Sequence, residues 1–302
     1  MSSERKVAII TGGGESPGAP PEWKASGALI NKRQTASGIG LATVKALSQR
    51  QGWELHVLDY NTQAFKAIDG IPDAVFHQVD ITNYPALGAV FRDVFRRHRR
   101  LDFVYANAGI AEPNNEFYAL HTTVNDDEPP PAPRSLVKVI DILLTAAATT
   151  AFLAQHYFRL SPAETRGSRN LVFTASAAAQ YPSVIMPIYT AGKHGVLGLM
   201  RSLAPKMWRY DGVRVNAVLP GSVITNFLED WSQFPDRYAT PVEVIVKAVL
   251  IFVDGKDAAK PEIDVMRGQA IECSGEDLYY RDQYPWCDER MKTVMSGADN
   301  DD

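Results

Sequence analysis

Three residues that can handle protons stand at fixed intervals in the second half of the chain: Ser176, Tyr189 and Lys193. Tyr189 and Lys193 are four positions apart, so on a helix their side chains share one face. Ser176 follows an apolar run, Asn170 to Ala175, which is typical of a buried strand. We therefore expect a strand end and the first turn of the next helix to bring a hydroxyl, a phenol and an ammonium group to one pocket.

This combination of groups indicates proton transfer coupled to hydride transfer. A free phenol has a pKa of about 10, so it must lose roughly 3 units to act as a base near neutrality. A neighbouring ammonium group and an oxidised nicotinamide ring both favour the phenolate. Ser176 would then hold the substrate oxygen while Tyr189 takes or gives its proton. A tyrosine and a lysine at this spacing also occur as an ordinary surface pair, so the surrounding elements decide between the two interpretations.

The surrounding elements alternate between strand and helix. Apolar runs that predict strands begin at Lys6, Glu54, Ala74, Leu101, Asn170, Val213 and Gln269. Segments with helical periodicity lie between them, among them Leu136–Leu160. The alternation predicts an α/β protein with a single doubly wound parallel sheet of the Rossmann type and helices on both faces. We expect one catalytic domain over residues 1–302, with a polar tail from residue 274 to residue 302.

The first predicted strand ends in an interrupted glycine-rich turn. Gly12 and Gly13 follow the strand, and residues 14–35 are a tract rich in Pro, Gly and polar residues. After this tract the glycine-rich pattern resumes with Ser37, Gly38, Ile39 and Gly40, and a helix follows from Leu41. Without that tract the sequence reads T-G-G-A-S-G-I-G, a turn that cradles the phosphates of a dinucleotide. Two interpretations of the tract stay open, a surface loop and a translated, retained intron.

The second predicted strand ends in an acid, Asp59. An acid about 20 residues after the glycine turn, with the insertion discounted, is placed to accept the ribose hydroxyls of NAD. It would also repel a 2′-phosphate, and no Arg or Lys follows at positions 60–62. The sequence thus favours NAD over NADP, while a helix N-cap remains the other possible role of this aspartate.

Composition limits the partners and the cellular location that we expect for the protein. The 302 residues include 45% hydrophobic and 22% charged residues and carry a net charge of −4, which argues against nucleic acid as the main partner. Cys273 and Cys287 form neither a disulfide framework nor part of a metal-ligand cluster. We see no signal peptide and no apolar run that approaches the length of a membrane helix. These features predict a cytoplasmic protein without a membrane partner.

Taken together, the motifs resemble those of the short-chain dehydrogenase/reductase family, and the match covers nearly the whole chain. The residues that carry it are the split Thr11-Gly12-Gly13 and Ala36-Ser37-Gly38-Ile39-Gly40, then Asp59, Asp80-Ile81, Asn107-Ala108-Gly109, Ser176, Tyr189, Lys193, Pro220-Gly221, Val223 and Thr225. The chain is most similar to fungal NAD-dependent members related to 15-hydroxyprostaglandin dehydrogenases.

The resemblance implies a role for each motif. Tyr189 would be the general acid/base, Lys193 would lower its pKa and bind the nicotinamide ribose, and Ser176 would orient the substrate. The remaining positions would bind the cofactor: Asp80 and Ile81 beside the adenine, Asn107, Ala108 and Gly109 in the cleft, and Pro220, Val223 and Thr225 near the carboxamide. The resemblance also implies a homodimer or homotetramer that packs the two long helices.

One departure from the family pattern concerns Leu143, which stands in Ile142-Leu143-Leu144-Thr145-Ala146 where the family has a catalytic asparagine. A leucine cannot hydrogen-bond the water of the proton relay, so we expect reduced turnover. Our leading hypothesis is an NAD-dependent oxidoreductase that interconverts a moderately hydrophobic secondary alcohol and a ketone. The alternative is a catalytically impaired or inactive member that acts as an NAD-binding or scaffold protein.

Overall fold

The computed structural model describes residues 5–12, 38–61, 66, 68–112, 117, 134–224 and 236–296. Within these residues, eight strands form one sheet in the order β3-β2-β1-β4-β5-β6-β7-β8. The strands are β1 Lys6–Thr11, β2 Trp53–Asp59, β3 Ala74–Gln78, β4 Phe103–Ala106, β5 Arg169–Thr174, β6 Val213–Pro220, β7 Ala270–Ser274 and β8 Asp277–Tyr280. All neighbouring pairs are parallel except β7 and β8.

Helices cover both faces of the sheet, so the central strands are buried on both sides and read as continuous apolar runs. The helices are α1 Ile39–Ser48, α2 Tyr84–His98, α3 Arg134–Ile140, α4 Ala146–Leu160, α5 Pro187–Lys206, α6 Val242–Asp254 and α7 Glu289–Ser296, with a π-helical segment, Asp141–Thr145, joining α3 to α4. Side chains of α2, α4 and α5 pack on one face, and those of α1 and α6 pack on the other.

The strand order reverses at β1, which pairs with β2 on one side and with β4 on the other. In open sheets of this kind, the carboxyl ends of the strands at the reversal border the crevice where ligands bind. The predicted doubly wound sheet is thus confirmed, and the residues after β1 and β4 lie at its ligand-binding edge.

The end of the chain differs from the predicted polar tail. The strand β8 turns back along β7 through Gly275, whose φ of +56° suits glycine. With only four residues, of alternating exposure, β8 gives too short a pattern to distinguish it from a polar segment. Its position is fixed by side chains as well, because the Arg281 guanidinium donates to Glu272 of β7 and to the Tyr181 hydroxyl.

The long helical stretch also corrects one expectation. Residues Leu136–Leu160 are long and apolar enough, by length and composition alone, to cross a membrane. The expectation that no run approaches that length was therefore wrong. In the structure this stretch packs on the sheet through Ala151, Ala154 and Phe158, while Phe152 and Leu160 remain exposed. The stretch thus serves as a layer of the fold and leaves one apolar side uncovered in the single chain.

Candidate active site

Ser176 lies just beyond the carboxyl end of β5, where the chain enters a short 3-10 turn, Ala177–Ala179. Its Oγ accepts a hydrogen bond from the backbone N–H of Ala178 at 3.1 Å and so caps that turn. This contact fixes the oxygen at the edge of the sheet. The interaction of this hydroxyl with the Tyr189 phenol lowers the pKa of the phenol.

Tyr189 and Lys193 lie on α5, one helical turn apart, and both are buried, with exposures of 8% and 3%. The Lys193 Nζ lies 5.6 Å from the centroid of the Tyr189 ring. It donates a hydrogen bond to the Thr174 carbonyl oxygen at 2.7 Å, at the end of β5. The structure therefore brings all three side chains predicted to be catalytic into one neighbourhood.

Burial moves the pKa values of this pair in opposite directions. It raises the pKa of Tyr189 to about 12, because a buried phenolate loses its hydration, and the interaction with Ser176 offsets only part of that rise. Burial lowers the pKa of Lys193 to about 7, so near neutral pH the amine is only partly charged. The protein's own groups thus shift the phenol pKa away from neutrality, whereas the sequence argument expected the lysine to lower it. A further positive charge beside the phenol, such as an oxidised nicotinamide, acts in the opposite sense.

Leu143 occupies the centre of the π-helical segment and is 1% exposed. It forms one apolar cluster with Val139 and Tyr189. A Cβ added at Gly109 or Gly192 would lie 3.1 Å from a Leu143 methyl group, so glycine at these positions lets the leucine approach. Local π-helix is frequent at functional sites. Here it presents an apolar side chain to Tyr189, so this position supplies no hydrogen bond to a proton relay.

Hydrogen bonds join the ends of β1 and β4 at the strand reversal, where the crevice begins. The Asn107 side-chain amide donates to the carbonyl oxygens of Thr11 and Gly12, at 3.2 and 3.0 Å. The Thr11 hydroxyl accepts from the backbone N–H groups of Asn107 and Ala108, both at 3.1 Å. A Cβ at Gly12 would lie 2.6 Å from the Ala108 Cα, so only glycine fits there. Gly109 lies next to Lys193: a Cβ there would come within 3.6 Å of the Lys193 Nζ.

The remaining described positions lie along the same edge of the sheet. Gly38 precedes α1 and offers no side-chain cap, which leaves the first N–H groups of the helix without a side-chain partner from that position. Asp59 ends β2, and one of its carboxylate oxygens accepts the backbone N–H of Asn61 at 2.9 Å. Asp80 is exposed and accepts the backbone N–H and the hydroxyl of Thr82. Ile39, Gly40, Ile81 and Pro220 are also described, whereas Gly13, Ser37 and Thr225 lie outside the described residues.

The shape of these residues fits a nicotinamide dinucleotide. An uncapped helix N-terminus suits a pyrophosphate. The missing side chains at Gly12 and Gly109 let the ends of β1 and β4 approach each other and let Leu143 and Lys193 approach the end of β4. Val223, after β6, is buried in the apolar cluster on the α6 face. Among the described residues, no group of His, Cys, Asp and Glu side chains is arranged to hold a metal ion.

Two contributors were absent from the sequence analysis. Thr174 joins both halves of the site, because its carbonyl accepts from Lys193 while its hydroxyl lies 2.8 Å from Asn107 Oδ1. Glu112 reaches the first turn of α5, where its carboxylate accepts the backbone N–H of Tyr189 at 3.0 Å. A buried acid shortly after the cleft residues could have been noted, but its partner lies 77 positions further along the chain.

The fold and the clustered side chains define the class of the protein as a dinucleotide-binding α/β protein. The family model for short chain dehydrogenase matches residues 35–236, which is more than half of the chain and starts where the interrupting tract ends. The short-chain dehydrogenase/reductase prx7 of Penicillium rubens is 40% identical over 273 residues, covering 86% of this chain and 96% of that protein. The chain therefore belongs to the short-chain dehydrogenase/reductase family, and it is an oxidoreductase of a family that uses nicotinamide cofactors.

Further relatives are more distant. The NADP-dependent dehydrogenase clz5 of Cochliobolus lunatus is 29% identical over 224 residues, covering 71% of this chain and 70% of that protein. Among solved structures, levodione reductase has a TM-score of 0.65 at 22% identity, over 90% of this chain and 97% of that one. The 3-ketoacyl-(acyl-carrier-protein) reductase of Brucella melitensis, complexed with NADH, has a TM-score of 0.66 at 18% identity, over 91% and 98%. These structures support the fold alone, and the similarity to 15-hydroxyprostaglandin dehydrogenases stays a prediction.

Proposed function

We propose that the protein is an NAD(H)-dependent oxidoreductase that interconverts a secondary alcohol and a ketone, with Tyr189 as the general acid/base. The observation that carries this proposal is the cluster of Ser176, Tyr189 and Lys193 beside the crevice at the strand reversal. When bound, the nicotinamide supplies the hydride acceptor or donor. The protein supplies a held hydroxyl, a buried phenol and a buried amine.

Each of these groups has a distinct task in the proposed reaction. The Ser176 oxygen, fixed by the Ala178 N–H, holds the substrate oxygen next to the phenol. Tyr189 takes the alcohol proton in oxidation and returns it in reduction. Lys193, with its pKa lowered to about 7, can take up or release a proton near neutral pH, and its bond to the Thr174 carbonyl fixes its direction.

A preference for NAD over NADP is proposed from Asp59. The carboxylate ends β2 at the rim of the crevice, and its neighbours Tyr60 and Asn61 carry no positive charge. A 2′-phosphate placed beside Asp59 would meet a like charge. The named cofactor of clz5 shows that a relative can use NADP, so the preference of this chain needs its own test.

The substrate is proposed to be a moderately hydrophobic alcohol or ketone. Apolar side chains follow Ser176 on the way to α5, and two of them, Val184 and Ile185, are exposed at the mouth of the site. We expect the site to be bounded also by residues 110–134 and by the segment after Thr225, which lie mostly outside the described residues. We also propose that the protein forms a homodimer or homotetramer, because the exposed apolar side of the 136–160 stretch suits a second copy. We further propose that it is cytoplasmic and has no membrane or nucleic-acid partner.

The direct test uses the purified protein with NAD+ or NADP+ and a panel of secondary alcohols of increasing apolar size. The near-ultraviolet absorbance of the reduced nicotinamide measures turnover, and calorimetric titration measures cofactor binding. We expect turnover with NAD+ and weaker binding of NADP+. Binding of NAD+ without turnover of any alcohol, or of the matching ketones with NADH, would identify a binding or scaffold protein instead.

Two variants sharpen this test. In Asp59→Ser, binding of NADP+ is expected to tighten about tenfold relative to NAD+, because the like charge is removed. Asp80→Ser is the matched control, since it removes a neighbouring acid and is expected to leave the ratio of the NADP+ and NAD+ affinities unchanged.

Deletion of residues 14–35 restores an uninterrupted glycine turn, and we expect it to tighten NAD+ binding. Unchanged binding after the deletion would show that the tract does not disturb the phosphate cradle.

A further inference from the structure

The first turn of α5 lacks a cap of its own. Its N-cap residue, Met186, makes no side-chain hydrogen bond, and Pro187 at the first helical position has no N–H group. The next two backbone N–H groups belong to Ile188 and to Tyr189. Such groups have no partner within the helix, and a Ser, Thr, Asp or Asn side chain at the N-cap usually accepts their hydrogen bonds.

A distant carboxylate takes the place of the local cap. Oε2 of Glu112 accepts the N–H of Ile188 at 2.8 Å and the N–H of Tyr189 at 3.0 Å. The Glu112 side chain is 7% exposed, so both bonds lie in the interior. Its negative charge also suits the positive end of the α5 dipole. One side chain therefore anchors the backbone of Tyr189 itself.

Glu112 also belongs to the other half of the site. It follows the cleft segment Asn107 to Gly109 at the end of β4, and Gly109 in turn lies beside Lys193. The contact from Glu112 to α5 thus ties the segment that borders the cofactor cleft to the helix turn that carries the phenol. A displacement of about 1 Å in a reacting group can lower a rate by about a hundredfold.

We infer that Glu112 is a positioning residue for the reaction: it holds the first turn of α5 so that the Tyr189 phenol keeps its place beside Ser176 and Lys193. The inference rests on the proposed function. Around the phenol, the described residues contribute Ser176 from just beyond β5, Lys193 from α5 and the apolar Val139 and Leu143. Glu112 fixes the turn from outside the helix by accepting two of its backbone N–H groups.

The test compares Glu112→Ala and Glu112→Gln with wild type. In Glu112→Ala the kcat for the alcohol found in the panel is expected to fall by about ten- to a hundredfold, while the KM for that alcohol and the Kd for NAD+ change by less than about twofold. Glu112→Gln keeps an oxygen that can accept both N–H groups, so it is expected to recover kcat to within about threefold of wild type. A larger KM with unchanged kcat, or no recovery by glutamine, would overturn the inference.

Asp102→Ala is the matched control. Asp102 is also buried and also accepts a backbone N–H, that of Val7 at 2.9 Å, but it lies just before β4 whereas Glu112 follows that strand. Its loss is expected to lower thermal stability without changing the kcat of the folded protein. An equal fall of kcat in both variants would reduce Glu112 to a general stabilising residue and contradict the inference.

Amide hydrogen exchange gives a readout that does not depend on turnover. In Glu112→Ala, faster exchange is expected in the peptide that contains Ile188 and Tyr189, with little change in the peptide that contains β1. Unchanged protection of these two amides would overturn the inference even if the enzyme is active. If wild-type protein shows no turnover but the variant loses protection, the proposed function fails while the anchoring of Tyr189 by Glu112 stands.

Discussion

The two halves of the sheet hold their candidate site residues in different ways. On the β5 and α5 side, Tyr189 and Lys193 are buried, and each is oriented by a contact to a backbone or side-chain group. On the β1 to β3 side, Asp59 is half-buried and Asp80 is exposed. The shape of that second side comes from the close contact between Gly12 and Ala108 and from the hydrogen bonds that the Thr11 hydroxyl accepts from Asn107 and Ala108.

The difference follows from what each half has to do. Groups that transfer protons near neutral pH need pKa values that differ from those in water, and burial together with neighbouring charges shifts them. Groups that bind a large, solvated dinucleotide need an accessible rim and a backbone that can be approached closely. Changes in the first half are therefore expected to alter rates, whereas changes in the second half are expected to alter stability and cofactor binding.

The largest effect is expected for Tyr189→Phe. The variant removes the phenolic hydroxyl and leaves the ring in its apolar cluster, so the rate of alcohol oxidation is expected to fall by about a thousandfold. Affinity for NAD+ is expected to change by less than about twofold. Initial rates from nicotinamide absorbance, together with a cofactor titration, measure both quantities. A phenylalanine variant with near wild-type turnover would assign the proton transfer to another group and break the contrast between the halves.

The next effect concerns Gly12→Ala in the nucleotide half. The added methyl group would lie 2.6 Å from the Ala108 Cα at a φ of +66°, and neither backbone can yield easily. We expect the free energy of unfolding, measured by urea denaturation, to fall by about 3 kcal/mol. Gly52→Ala is the matched control, because its φ is +88° but nothing lies within 4 Å. It is expected to lose only about 1 kcal/mol, and equal losses would show that the contact with Ala108 is unimportant.

A pH-dependent effect is expected from three histidines, also in the nucleotide half. The His56 Nδ1 lies 2.9 Å from His77 Nε2, and its Nε2 lies 3.0 Å from His98 Nε2. Burial lowers the pKa of His56 to about 3, and it also lowers the pKa values of His77 and His98. Since an unfolded histidine titrates near 6.5, the unfolded chain binds more protons than the folded one between about pH 3 and pH 6.5.

The free energy of unfolding is therefore expected to lose nothing to these histidines above about pH 6.5 and to decline as the pH falls. At pH 5 the loss due to His56 is expected to be about 2 kcal/mol. Urea denaturation at pH 7 and at pH 5 measures this difference in the wild type and in His56→Leu. The leucine variant is expected to lose less stability between the two pH values. His194→Leu, at an exposed position of α5, is the control. An unchanged pH dependence in His56→Leu would contradict the argument from burial.

The smallest effect is expected for Leu143→Asn, which adds a hydrogen-bonding group beside Tyr189. If the leucine limits the proton relay, the asparagine is expected to raise turnover by several-fold to about tenfold. The loss of a buried leucine is expected to cost about 2 kcal/mol of stability. Leu143→Ala is the control, because it loses the same packing without gaining a polar group and is expected to show no gain in rate. Equal rates in the two variants would count against the relay argument.

The sequence predicted those features whose cause is local. The parallel sheet follows from apolar runs separated by helices, and the shared face of Tyr189 and Lys193 follows from a spacing of one helical turn. Features that depend on distant contacts could not be read in the same way. Glu112 meets Tyr189 across 77 positions, and the rise in the Tyr189 pKa depends on burial by residues such as Val139 and Leu143. The residues 13–37 lie outside the described part of the chain, so the predicted cradle remains incomplete there.

The interlock between the ends of β1 and β4 has a consequence for how the chain tolerates changes of length. The carbonyl oxygens of Thr11 and Gly12 are already held by Asn107, so the register of the two strands is set before residue 13. The loop-closure cost of a longer segment at this point grows slowly, by about 0.6 kcal/mol for each doubling of its length. The same junction is thus a permissive position for gaining or losing sequence, by natural drift or by insertion of a reporter peptide, while the core beneath it keeps its geometry.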